Sequence, residues 1–245
     1  MKEGMREWAG WVARHALYVA IVAAVYGAVW MDARGGRAPQ PPTDARGVEL
    51  PETRAERLAR LQEVSQFNED GVVEALELAM LLAIAMGCGW CAVREREARP
   101  VLVLMGGVVG LAAIREQDQW FDQFAHGSWV VPAGLLAAGL AAYAWRRRRE
   151  LGRGLGEIVR TPGWGLFVAG GLVAMVFSRL MGRKDVWNHL IEAPRLARNM
   201  KNMVEESLEV AGYALMLCAL IEGMAHLRRW GSAGEGCNRR EGRSD

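Results

Sequence analysis

Apolar residues in this chain collect into six blocks, and the charged residues collect between them. That segregation constrains the fold more than any motif does. A block of roughly 20 apolar residues crosses the hydrocarbon core of a bilayer as a helix, with every backbone N–H and C=O satisfied inside the segment. The mean hydropathy of the whole chain is only +0.02, because the charged connectors cancel the blocks in the average. The blocks predict spans at about 8–31, 71–93, 101–122, 129–145, 163–181 and 206–227. The expected fold class is all-α, a polytopic integral membrane protein with six transmembrane helices in one domain over residues 1–230 and a disordered tail over 231–245.

The flanks agree with that reading. Trp8, Trp11 and Trp30 sit near the ends of the first block, and Trp129 and Trp145 bound the fourth, as in an aromatic belt. The first block runs to Met31 with no small-residue cleavage site behind it, which reads as a span and not a cleaved signal. Arg94, Arg96 and Arg99 follow the second block, Arg146–Arg149 with Arg153 and Arg160 follow the fourth, and Arg228 and Arg229 close the sixth. Basic residues accumulate on the cytoplasmic side of short loops, so both termini are expected in the cytoplasm, with the chain in the plasma (inner) membrane. A net charge of +2, with its basic residues at membrane flanks, gives no case for nucleic acid. The bilayer itself is the expected partner, with a lipid or a cation as the expected ligand class.

Two connectors are more than linkers. Arg34–Thr43 is rich in Gly and Pro and reads as flexible loop. From Glu52 to Phe67, Leu58, Leu61, Val64 and Phe67 recur every third residue, which predicts a short amphipathic helix. Trp187, Leu190, Ile191, Leu196, Met200 and Met203 suggest a second, broken near Pro194. Both suit the interfacial plane. Cys88 and Cys91 form Cys-Gly-Trp-Cys inside an apolar helix with no preceding strand, so they read as packing residues and not as a redox pair. The pairs Gly106 with Gly110 and Gly165 with Ala169 suit close helix contact.

Function is sought where the charges are out of place. Each helix can be counted outward from its cytoplasmic end at about 1.5 Å per residue. Glu77 then lies at about 25 Å, Glu116 near 24 Å and Glu209 at about 28 Å, with Glu74, Asp118, Asp122 and Glu206 within the next turns. Three separate spans thus bring acids to one level of the outer leaflet. Asp118, Asp122 and His126 follow at i, i+4 and i+8 and share a helix face, with Arg115 three before Asp118. Glu69, Asp70, Glu205 and Glu206 also suit the positive N-terminal ends of helices.

A carboxylate in hydrocarbon must be paired, protonated, metal-bound or wet. Arg115 is the expected structural ion-pair partner, with Arg179, Arg183 and Lys184 as further counter-charges. Glu77, Glu116 and Asp118 are the candidate catalytic groups, and Glu74, Asp118, Asp122, His126, Glu206 and Glu209 the candidate ligands of one divalent metal ion. Four histidines, none in a His-x-x-x-His pair, disfavour zinc, while calcium or manganese tolerates an oxygen-rich set. Three functions stay open on these residues. They are a metal-dependent membrane hydrolase acting on a lipid or amphiphile, a proton- or cation-coupled transporter, and a non-catalytic assembly partner.

Overall fold

The structure is a computed structural model that describes residues 2–35, 41–43, 46, 51–62 and 72–241, with side chains described at 9–31, 41–43, 46, 51–57, 59 and 72–225. Every regular element among these residues is a helix. In chain order they are α1 (Lys2–Gly35), α2 (Arg54–Gln62), α3 (Val72–Arg94), α4 (Arg99–Glu116), α5 (Asp118–Asp122), α6 (Val130–Arg146), α7 (Arg148–Val159), α8 (Pro162–Leu172), a π-helical segment (Val173–Phe177), α9 (Ser178–Met181), α10 (Lys184–Leu190) and α11 (Pro194–Glu241).

Among the described residues, four stretches are long and apolar enough to cross a membrane: Ala9–Met31, Val72–Arg94, Pro162–Met181 and Pro194–Ala225. The first is 6% buried within the chain, so its apolar side chains face outward, as a lipid-facing helix requires. α6 is a shorter apolar helix of 17 residues, and α4 has 18 with Arg99, Arg115 and Glu116 at its ends.

Several boundaries differ from the sequence reading, each for a local reason. α1 continues through Arg34 and Gly35, so the expected loop starts later. The third block does not run unbroken to 122. The helix ends at Glu116, and the amide of Gln117 reaches back to the carbonyl of Ile114 in a tightened last turn before α5. The last block is not confined to 206–227 either. α11 starts at Pro194, where a proline at the head of a helix gives up no intrahelical hydrogen bond, and no breaker follows. Residues 194–203, expected as part of a surface helix, are therefore its first turns, and its backbone continues to Glu241 through the segment expected as tail. Of the Glu52–Phe67 prediction, Arg54–Gln62 is helical and 63–67 lie outside the described residues, as do Glu69 and Asp70.

α2 is started by a reciprocal cap. The Thr53 amide and hydroxyl both donate to Glu56 Oε2 at 2.8 Å, and the Glu56 amide donates to Thr53 Oγ1 at 3.3 Å. These bonds from Thr53, the backbone amide first, hold the Glu56 carboxyl below its usual pKa. A lowered native pKa means that the cap is intact above the unfolded value and is lost as pH falls through the native one. Thr53→Ala is expected to move the Glu56 pKa part of the way back up and to speed amide exchange in the first turn. Carboxyl-carbon NMR titration checks this, and an unmoved Glu56 would contradict it.

The chain forms two compact units, Met1–Glu77 with Gly171–Gly212, and Leu78–Gly170 with Tyr213–Asp245. In the first, Val73, Ala174, Ala193, Ala197 and Val210 are buried, together with the polar Glu77, Ser178, Asn199 and Glu209. Arg54 pairs with Glu192, tying α2 to the turn before α11. Both partners are exposed, so the pair adds little stability.

In the second unit, Leu81, Ile84, Cys88, Val109 and Tyr213 are almost fully enclosed. Small residues set the helix separations. A Cβ on Gly106 would meet Cys88 Cβ of α3 at 3.1 Å, whereas one on Gly107 would meet Leu140 of α6 at 2.3 Å and one on Gly110 would meet Leu136 of α6 at 3.5 Å. The expected pair Gly106 and Gly110 thus serves two different neighbours, and a Cβ on Gly165 would meet nothing within 4 Å. Cys88, Cys91 and Cys218 are buried free thiols.

Candidate functional site in the first unit

Glu77 and Glu209 are 3% and 5% exposed, and a carboxylate oxygen of one lies within 4.8 Å of a carboxylate oxygen of the other. They come from helices distant in sequence, α3 and α11, so acids of the second and sixth blocks do meet. Burial of two carboxylates this close is unfavourable unless positive charge or donors accompany them.

Those companions come from α9 and from α11 itself. Arg179 Nη1 donates to Glu205 Oε1 at 2.7 Å and its Nη2 lies 3.1 Å from Glu209 Oε1, so one guanidinium bridges two acids one turn apart. Lys201 Nζ lies 2.7 Å from Glu205 Oε2, again one turn along α11. Ser178 is fully buried. Its hydroxyl donates to the carbonyl of Ala174 at 2.5 Å and lies 3.3 Å from Glu209 Oε1.

The backbone makes room for this cluster. The π-helical segment Val173–Phe177 ends immediately before Ser178 and Arg179. One extra residue in a turn rotates everything after it, and such bulges recur at functional sites. Here the rotation sets Ser178 and Arg179 toward α11. Gly182 closes α9 against Glu205, where a Cβ would lie 2.6 Å from the carboxyl carbon.

The other predicted residues are placed as follows. Glu74 and Glu206 are half-buried in the first unit. Glu116 belongs to the second unit, where Arg115 Nη2 donates to its Oε1 at 2.6 Å and the Tyr213 hydroxyl donates to the same oxygen at 3.0 Å. Tyr213 follows Glu209 by one turn on α11, so α4 also meets α11 through an acid, within the second unit.

Asp118, Asp122 and His126 are exposed. Because the helix breaks at Gln117, their common face is spent on a turn. Asp122 Oδ2 lies 3.0 Å from His126 Nδ1, and its Oδ1 accepts the Gly127 amide at 2.7 Å. Gly127 there has φ +76°, the left-handed region that favours glycine. The structure therefore brings Glu77 and Glu209 together and leaves Asp118, Asp122 and His126 outside that cluster.

The sequence reading counted Arg179 among the counter-charges but passed over Lys201 and Ser178. Lys201 stands four before Glu205, a spacing that signals a helical ion pair. No protein-family model, curated protein or solved structure matches this chain.

Proposed function

We propose that this chain is a six-span membrane protein that binds and passes a cation, a proton in the first instance, at the Glu77–Glu209 pair. The four long apolar stretches supply four of the spans, and α4 and α6, about 27 Å and 25 Å long at 1.5 Å per residue, supply the others. α2 and α10 lie at the interface, and the arginines after α3 and α6 set both termini in the cytoplasm of a plasma (inner) membrane.

The observation that carries the reading is the approach of two buried carboxylates within 4.8 Å of one another. Two carboxylates this close repel each other when both are ionised, and a proton or cation held between Glu77 and Glu209 relieves that repulsion. Ionisable groups set inside a bilayer typically mark ion and proton pathways. A metal-dependent hydrolase is the weaker reading. It drew on Asp118, Asp122 and His126, which are exposed, and a guanidinium and an ammonium already occupy oxygens of two neighbouring acids.

The test is acidification of liposomes containing the purified chain under an imposed potential, followed with an entrapped pH dye. Glu77→Gln is expected to reduce proton flux by roughly tenfold or more while the protein stays folded. Equal flux in wild type and variant would reject the reading. A stoichiometric divalent metal that survives purification and is lost in Glu77→Gln would move the weight to metal chemistry.

A further inference from the structure

The second unit encloses a cavity of about 640 Å³, within the roughly 300–1,000 Å³ typical of small-molecule sites. Its floor is apolar, made by Leu102 and Met105 of α4, Trp164 and Phe167 of α8, and Leu220 and Met224 of α11. Its mouth is different. Arg94, Arg96 and Arg160 line it together with Glu95, Glu97 and Glu157, from the end of α3, the α3–α4 connector and the α7–α8 corner.

Six charges of both signs at one opening would be expected to pair with each other. Among the described residues no ion pair joins any of them, and Arg94 instead lies over the Trp90 ring, 4.0 Å from its centroid. On the six-span topology proposed above, the floor lies within the apolar slab, beginning a turn or less inside α4, while the mouth sits where helices end. An apolar chamber with a doubly charged rim at the level of lipid headgroups matches one class of molecule. That class carries a hydrocarbon tail and a headgroup holding both a phosphate and an ammonium.

We infer that this cavity is a binding site for a zwitterionic amphiphile of the phosphatidylethanolamine type. The tail occupies the floor, the arginines take the phosphate, and the glutamates take the ammonium. Arginine suits phosphate because its planar fork donates two parallel hydrogen bonds. The site shares no residue with the cation pair, so it is independent of the proposed transport, and it rests on the six-span topology proposed above.

Gly223 gives direct access to the question. It lines the cavity, and a Cβ built on it meets nothing within 4 Å. A larger side chain there starts from open space at the cavity lining. The experiment is native mass spectrometry of the purified full chain, titrated separately with dioleoylphosphatidylethanolamine, dioleoylphosphatidylglycerol and dioleoylglycerol.

Wild type is expected to retain the ethanolamine lipid roughly tenfold more tightly than dioleoylglycerol. Gly223→Phe should abolish that preference, while Gly139→Phe on exposed α6, also in open space, should leave it intact. Met105→Trp fills the chamber from α4 and serves if Gly223→Phe does not fold. Arg160→Gln should weaken both phospholipids, and Glu157→Gln should weaken only the ethanolamine lipid. Equal retention of all three lipids, or retention that survives both filling variants, would overturn the assignment.

Discussion

Gly163→Val is expected to be among the most damaging single substitutions in this chain. A Cβ at position 163 would stand 2.4 Å from the Ala219 carbonyl oxygen, 3.3 Å from its carbon and 3.4 Å from the Gly223 amide nitrogen. All three are backbone atoms of α11, so no side chain can swing aside, and α8 must move as a body. Overpacking costs about 1–3 kcal/mol where side chains can yield, and a clash with backbone lies at or beyond the upper end. Valine should therefore lower the thermal midpoint by several degrees or prevent recovery of folded protein from detergent. Gly165→Val, two residues on, is the control, since its Cβ would meet nothing within 4 Å. Intrinsic tryptophan fluorescence against temperature separates the two. Similar midpoints for Gly163→Val and wild type would show that α8 and α11 do not approach as closely as this contact requires.

That contrast also marks how far the sequence could be read. The helices long and apolar enough to span were legible because an apolar run of that length has few alternatives, and α3 fell within a residue of its expected ends. The glycines were not. Gly165 and Gly163 look alike in sequence, and only the position of α11 makes one indispensable and the other indifferent. Helix ends were read poorly where polar residues run on in helical spacing. Arg115 to Asp122 keeps the 3.6-residue period across the break at Gln117, so the period could not reveal that α5 turns Asp118 and Asp122 to the surface. At Pro194 the error had the opposite sign, because a proline that looks like a break is also a good first residue of a helix.

The acids were partly legible for the same reason. Rise per residue gives depth along a helix, and it put Glu77 and Glu209 at one level. It does not give the azimuth, which decides whether two groups at one depth face each other. The π-helical turn at Val173–Phe177 has no signature in Val-Ala-Met-Val-Phe, yet it rotates Ser178 and Arg179 into the cluster. Spacing carries rise along a helix, and it does not carry facing.

Arg179→Met is the corresponding test of the acidic cluster. The guanidinium bridges Glu205 at 2.7 Å and Glu209 at 3.1 Å, and Glu209 is 5% exposed. Removing one partner of a fully buried ion pair costs about 3–5 kcal/mol, chiefly because the remaining charge has lost its compensation. The Arg179 side chain is 50% exposed, which reduces the expected loss to roughly 2–3 kcal/mol. Arg179→Lys should recover only part of it, since an ammonium cannot span both carboxylates in one plane. The decisive comparison is Arg179→Met combined with Glu209→Gln. If the two groups act on one another, the double variant is more stable than the sum of the single losses predicts, by about 1 kcal/mol or more. Strict additivity in denaturation of the purified protein would mean that Arg179 stabilises the fold without compensating Glu209, and the electrostatic account of the cluster would then fail at its best-defined contact.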